Sequence, residues 1–150
     1  IYEINVFAVF EMMSYASRIM SKQKSGVIIN IASICGDEGG MRGQTAYSSS
    51  KGAVIALTKT AAKELGEFGI RANCVSPGPV KTKLSIAVHS PQIIKAYHDA
   101  IPLNRYGSER EIGEVIFFLS SPKASFVTGQ TVAVDGGFEA TGVGLPALRE

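Results

Sequence analysis

Apolar residues recur at helical spacing over residues 2 to about 22, with Phe10, Met13, Ala16 and Met20 on one side. Ser25-Gly26 interrupts this pattern, and Val27-Ile28-Ile29-Asn30-Ile31 follows as a short, nearly continuous β-branched run. Such a run suits a strand buried on both faces of a parallel sheet. Gly36 to Gly43 holds four glycines and reads as a loop. Helical spacing returns from about Ala46 to Phe68 through Val54, Leu57, Ala61, Ala62 and Leu65, and Gly69 is placed to end it.

A second strand is expected from Ile70 to Val75, stopped by Ser76-Pro77-Gly78-Pro79. Val80 to Ser90 reads as a polar connecting segment. Ser90-Pro91 then has the form of an N-cap with proline at the first helical position, for a helix to about Ala100. Ser108 and Glu111 form a capping box for a helix through Ile112, Val115, Ile116 and Leu119. Thr131 to Val134 is the last strand expected, closed by Asp135-Gly136-Gly137. Strand and helix alternate, so the fold class is α/β with a parallel sheet. Only three strands are visible, fewer than a doubly wound sheet normally has.

The chain opens inside its first periodic segment, at Ile4, Val6, Phe7, Val9 and Phe10, with no cap before it. It is therefore expected to be a stretch of a longer polypeptide. A net charge of +2 with no Lys/Arg run gives no ground for a nucleic-acid or membrane partner. No window approaches the roughly 18 apolar residues of a membrane span, and no signal peptide is evident at the start. Cys35 and Cys74 fit neither a disulfide framework nor a metal-binding spacing; both are expected as buried, reduced thiols, which points to the cytoplasm.

The candidate chemistry centres on Tyr47-Ser48-Ser49-Ser50-Lys51. Residues four apart on a helix share a face, roughly 5–6 Å between Cβ atoms. An ammonium beside a phenol favours the phenolate, which would let Tyr47 give and take a proton near physiological pH. Spacing alone does not decide this: Tyr106 and Arg110 are also four apart and read as a plain surface contact. Ser33 strengthens the case. It ends the buried strand Gly26 to Ala32, at the carboxyl edge where open α/β sheets bind ligands, while Tyr47 begins the next helix. A hydroxyl donor and an acidic tyrosine facing one crevice could polarise a carbonyl from two directions.

Five segments taken in order resemble the short-chain dehydrogenase/reductase superfamily. They are Ile4-Asn5-Val6; Gly26 to Ser33; Tyr47-x-x-x-Lys51; Asn73-Cys74-Val75-Ser76-Pro77-Gly78 with Thr82; and Val127-Thr128-Gly129-Gln130 leading to Val134-Asp135-Gly136-Gly137. The resemblance is to the single-domain branch of β-ketoacyl reductases and glucose/gluconate-type dehydrogenases, and it extends to about Phe138. It implies a three-layer, Rossmann-like, doubly wound parallel sheet and an NAD- or NADP-dependent interconversion of carbonyl and alcohol. Tyr47 would be the general acid/base, Lys51 its modulator and a ligand of the nicotinamide ribose, and Ser33 the holder of the substrate oxygen. Asn5 would position a water linking Lys51 to solvent. Pro77 and Gly78 would shape the nicotinamide pocket, with the Val80 backbone and the Thr82 hydroxyl on the carboxamide or phosphates. No metal is implied.

Two departures from the family pattern stand out. The interval from Ser33 to Tyr47 is one residue longer than is common, in the loop carrying Asp37, Glu38 and Arg42, so the substrate-side wall should differ. The Gly-rich phosphate turn that should precede these motifs does not occur. Residues 1–150 thus read as the C-terminal catalytic part of one domain, with a tail at 139–150 and without its N-terminal βαβ units, each of about 30 residues. The alternative is a truncated, non-catalytic binding or assembly module of the same fold. A sugar-nucleotide epimerase or dehydratase shares the Tyr/Lys pair but not the Thr128-to-Gly137 ending.

The resemblance also implies a homotetramer or homodimer, with the Tyr2–Met20 and Ala46–Phe68 helices packing on their counterparts. The tail, with Leu145, Pro146 and Leu148, would close over the site or cross to a neighbour. Lys81 to Leu103 would form a lid whose His89 and His98 are expected to be exposed and without a catalytic role; its residues favour no substrate class.

Overall fold

A computed structural model describes residues 1–141. Three strands, β1 (Gly26–Ile31), β2 (Ile70–Pro77) and β3 (Thr131–Val134), form one parallel sheet in the order β1-β2-β3. Gly26 pairs with Ile70 and Ile31 with Val75; Cys74 pairs with Thr131 and Pro77 with Val134. Parallel neighbours need a crossover over a face of the sheet, which here is helical.

The helices are α1 (Ala8–Gln23), α2 (Ile34–Asp37), α3 (Thr45–Leu65), α4 (Lys83–Val88), α5 (Pro91–Ala100) and α6 (Glu109–Ser120). A π-helical turn, Glu3–Phe7, runs directly into α1. The long helix α3 tightens into a 3₁₀ turn at Gly66–Phe68, and Gly69 closes it at φ +72°, a left-handed conformation that suits glycine.

Helices α1 and α3 cover one face of the sheet. Met13, Ile28, Ala61, Ala62, Ile70 and Ala72 form one cluster there, and Ala32, Val54, Ile55 and Cys74 a second. Helix α6 covers the other face through Leu119, packed with Val75, Ala124, Ile29 and Val132. Ala72 and Cys74 thus point to α3 and Val75 to α6, all fully buried. This is the three-layer α/β arrangement that the family resemblance implies.

Two polar anchors hold the α6 side. The Arg71 guanidinium donates to the carbonyls of Leu119 (2.8 Å), Val127 (3.2 Å) and Ser121 (3.2 Å), satisfying the carboxyl end of α6. At the other end, Ser108 Oγ accepts from Glu111 N–H, and the Glu111 carboxylate accepts from Ser108 N–H and pairs with Arg105. Arg105, then the Ser108 N–H, holds the Glu111 carboxyl down to about 2. Its folded pKa lies below its ordinary value, so its stabilisation is present above pH 4.5 and is lost as pH falls toward 2. Thermal unfolding followed across that window should lose less stability in Glu111→Gln than in the unaltered chain.

The structure departs from the sequence reading in four places. The glycine-rich loop begins with a helical turn, α2, because Ser33 caps it. Strand β2 runs two residues further, to Pro77, through its pairing with β3. The polar segment after Val80 contains α4, opened by a capping box in which Thr82 Oγ1 accepts from Ser85 N–H and Ser85 Oγ from Thr82 N–H. Phe10, read on one side of the first helix with Met13, Ala16 and Met20, is 56 % exposed, whereas Met13 is buried. No described helix is long and apolar enough to cross a membrane. Most of the tail proposed as a closing segment, residues 142–150, lies outside the described residues.

Candidate active site

Strand β1 continues its pairing through Ala32, whose N–H donates to the Val75 carbonyl (2.8 Å), and Ser33 is where the chain leaves the sheet. Ser33 Oγ accepts from Cys35 N–H at 3.2 Å as the N-cap of α2. That contact uses an oxygen lone pair and leaves the Ser33 O–H free to donate. Tyr47 lies in the first turn of α3. Both side chains line one cleft of about 590 Å³, whose walls also include Pro77, Gly78 and Thr82. The cleft sits at the carboxyl ends of β1 and β2, where ligands bind in open α/β sheets.

Lys51 follows one turn along α3. Its Nζ donates to the Ile31 carbonyl at 3.0 Å and stands 5.9 Å from the centroid of the Tyr47 ring. The lysine is set behind the tyrosine rather than in the cleft wall. Burial lowers its pKa from the ordinary lysine value. The hydrogen bond to the last carbonyl of β1 ties the ammonium to the strand that carries Ser33.

Asn5 falls inside the π-helical turn Glu3–Phe7. Its Nδ2 donates to Ser50 Oγ (3.1 Å), and Ser50 Oγ donates to the Tyr47 carbonyl (2.6 Å). Tyr2 adds a parallel bond, its hydroxyl donating to Ser49 Oγ at 2.9 Å. The start of α1 is therefore fastened to the turn of α3 between Tyr47 and Lys51. The structure brings Asn5 to Ser50, the neighbour of Lys51. Ser50 is fully buried and was missed by sequence reasoning, since a helix serine carries no signal of burial until another helix docks on it.

Pro77 and Gly78 form part of the cleft wall. A Cβ on Gly78 would come within 2.6 Å of Asp135 Cβ and 2.7 Å of its Cα. The glycine is thus required by the close approach of the β3 exit as well as by access to the cleft. Thr82 Oγ1 accepts from Ser85 N–H, which leaves its O–H free to donate. Val80 bridges Gly107, but the bonds of that bridge come from Lys81 N–H and the Pro79 carbonyl, so the Val80 N–H faces the opposite side.

The profile of a family described as enoyl-(acyl carrier protein) reductase matches residues 1–139. The chain belongs to the short-chain dehydrogenase/reductase family. It is 38 % identical to (+)-borneol dehydrogenase 2 of Salvia officinalis, over 99 % of this chain and 56 % of that enzyme. It is 41 % identical to the 3-oxoacyl-(acyl-carrier-protein) reductase of Thermotoga maritima, over 91 % of this chain and 55 % of that one. Among solved structures, the gluconate 5-dehydrogenase of Burkholderia cenocepacia, in complex with NADP and tartrate, superposes with a TM-score of 0.88 at 33 % identity. That match covers 93 % of this chain and 55 % of the dehydrogenase. The chain spans about half the length of the curated relatives it matches.

The rest of the cleft wall comes from α2, α4, α5 and the turn after β3. Cys35 is half-buried in the cleft, not buried among apolar residues; only Cys74 is in the core, and both are free thiols. His89 and His98 are half-buried rather than exposed, because Tyr106 holds both. His89 Nδ1 lies 2.9 Å from the Tyr106 hydroxyl, and the His98 ring packs edge-on against Tyr106 at 5.5 Å. Tyr106 therefore does not pair with Arg110, whose Nε donates to Glu114 at 3.3 Å. His89 and Tyr97 line the cleft, stacked at 5.6 Å. No periodicity announces these residues as a wall; the lid has to fold over the sheet edge first.

Proposed function

We propose that this chain carries the proton-handling and nicotinamide side of an NAD- or NADP-dependent oxidoreductase that interconverts a carbonyl and an alcohol. The observation that carries this reading is the convergence of Ser33 and Tyr47 on one cleft, with the Lys51 ammonium behind the tyrosine. The relatives are named for oxidoreductions of quite different substrates, which supports the reaction type rather than any one substrate.

The cleft wall fits the nicotinamide end of such a cofactor. Pro77 and Gly78 offer a flat, largely apolar surface, and the Thr82 O–H is free to donate; Val80 lies between these residues in sequence but not in the cleft lining itself. When bound, the nicotinamide supplies the hydride chemistry. Lys51, Pro77, Gly78, Val80 and Thr82 would hold it.

Ser33 donates its O–H to the substrate oxygen and fixes the carbonyl beside Tyr47. Tyr47 delivers a proton to that oxygen during reduction and takes it back during oxidation. The positive charge of Lys51 stabilises the negative charge that develops on the tyrosine oxygen as the proton leaves. Asn5 acts through Ser50: it holds the turn of α3 that carries Tyr47 and Lys51, and positions a water that links Lys51 to solvent.

The test is titration of reduced nicotinamide cofactor into the full-length protein, followed by absorbance of the reduced cofactor with a panel of carbonyl compounds. Binding with carbonyl-dependent consumption supports the proposal. Neither binding nor consumption would favour the alternative, a non-catalytic module of this fold.

The same reading places the protein in the cytoplasm, with Cys35 and Cys74 reduced, as a homotetramer or homodimer. Helix α1 and the turn before it expose Ile4, Phe7, Phe10, Met12, Tyr15 and Ile19. A groove of about 290 Å³ between α1 and α3 is lined by Phe10, Met13, Leu57 and Leu65. Phe10→Glu should lower the mass measured by light scattering, since a charge on this face opposes burial against a second copy. An unchanged mass would remove this face from the assembly.

A further inference from the structure

The chemistry of the cleft wall narrows the substrate. We propose, resting on the oxidoreductase reading above, that the substrate is a compact, uncharged ketone or secondary alcohol with a largely hydrocarbon body, gripped by Met41, Leu84, Val88, His89, Tyr97 and Phe138. All six line the cleft that holds Ser33 and Tyr47.

The first argument is the distribution of free polar groups. Several polar atoms away from the reacting end are already engaged within the protein. Gln44 Oε1 accepts from Met41 N–H at 3.0 Å and from Cys35 Sγ–H at 3.7 Å. His89 Nδ1 is paired with the Tyr106 hydroxyl, and the Tyr97 hydroxyl reaches Met41 Sδ at 3.7 Å. Ser85 Oγ donates to the Val80 carbonyl. At the reacting end the Ser33 and Tyr47 hydroxyls converge, sufficient for a single carbonyl oxygen. A substrate hydroxyl turned toward Leu84, Val88, Phe138 or the ring faces loses its water without a replacement.

The second argument is charge. No lysine or arginine stands among the described residues lining the cleft, whereas Glu38 does. Asp37, Glu38 and Asp135 stand close enough to Glu139 to add to the effect of its burial in raising its carboxyl pKa. The rim beside α2 and the β3 exit is therefore acidic. A carboxylate or phosphate brought beside Glu38 and Glu139 meets like charge.

The third argument is shape. Tyr97 and His89 stack at 5.6 Å, Tyr106 stands edge-on to both, and Phe138 lies 6.3 Å from Tyr97. The Tyr97 hydroxyl contacts Met41 across the cleft from the α2–α3 connection. This aromatic wall and its bridge favour a short, thick molecule over a long chain. Glu38 and Met41 both belong to the connection between Ser33 and Tyr47.

In the reaction, the carbonyl carbon receives a hydride from the reduced nicotinamide and the oxygen receives a proton from Tyr47. The ketone becomes the secondary alcohol, the nicotinamide is left oxidised, and Tyr47 regains its proton from solvent.

The test uses the full-length protein with reduced nicotinamide and three carbonyl compounds: a saturated bicyclic ketone, an open-chain 3-oxo acid of equal carbon number, and a polyhydroxy keto acid. The bicyclic ketone should exceed both acids in kcat/KM by about a hundredfold, the scale on which buried pocket contacts discriminate. Tyr97→Ala should raise KM for the bicyclic ketone about tenfold while changing kcat less. Glu38 is exposed, so Glu38→Lys leaves the core untouched; it should narrow the gap between ketone and acids about tenfold. Equal or better turnover of either acid overturns the substrate class and leaves the oxidoreductase reading standing. Failure to consume reduced nicotinamide with any carbonyl overturns both.

Discussion

Tyr47→Phe should lower kcat by about 10²- to 10⁴-fold, the range associated with losing a positioned general acid or base. The substitution removes one oxygen from a half-buried side chain in the first turn of α3 and leaves the ring that faces Lys51. The circular dichroism spectrum and the unfolding midpoint should therefore be nearly unchanged, and KM and cofactor affinity should move far less than kcat. Ser33→Ala should fall in the same direction by a smaller factor. It also removes the cap of α2 (the Cys35 N–H acceptor), so part of its effect would appear as stability. Retained turnover in Tyr47→Phe would mean that another group supplies the proton and would unseat the tyrosine from its role.

Gly36→Ala should be strongly damaging although the residue lies outside the cleft. A Cβ at this position would meet the Lys51 backbone carbon at 2.7 Å and the Gly52 nitrogen at 2.8 Å. Both contacts are backbone, so neither can swing away, and α2 must move off α3. Gly52 faces the same contact, its Cβ position lying 3.3 Å from the Gly36 carbonyl oxygen. Overpacking of this kind costs about 1–3 kcal/mol. The displacement acts along the line between Ser33, which starts α2, and the α3 turn that carries Tyr47 and Lys51. Denaturant unfolding should show the lowered midpoint. Activity measured well below that midpoint should still be reduced, because the two hydroxyls no longer converge. A variant that loses stability and keeps full kcat would show that the packing serves the fold alone.

These two predictions rest on different kinds of information. Tyr47 and Lys51 could be picked out from sequence because their relation is local: four residues on a helix place two side chains on one face whatever surrounds them. Caps are legible for the same reason, and Ser90, Ser108 and Gly69 all end or begin helices where expected. Ser33 was legible through its place at the end of a β-branched run. Helix α4 was not, because its capping box pairs Thr82 with a serine rather than the glutamate or glutamine that marks such a box. Gly36 was read only as part of a glycine-rich loop; the 2.7 Å approach that makes it necessary exists only once α2 lies on α3.

The sequence by itself determined the alternation of strand and helix, the helix ends, the family, and the residue types at the reacting end of the cleft. Each of these depends on neighbours a few positions apart or on an ordered set of short motifs. The tertiary structure alone decided that Ser50 is buried beneath Asn5, 45 positions away, and that Tyr97 meets Met41 across 56. It also decided that His89 and His98 are held against Tyr106, and that the cleft carries apolar rings and an acidic rim. Those are contacts between segments with no common period, so nothing along the chain announces them until the sheet brings the segments together.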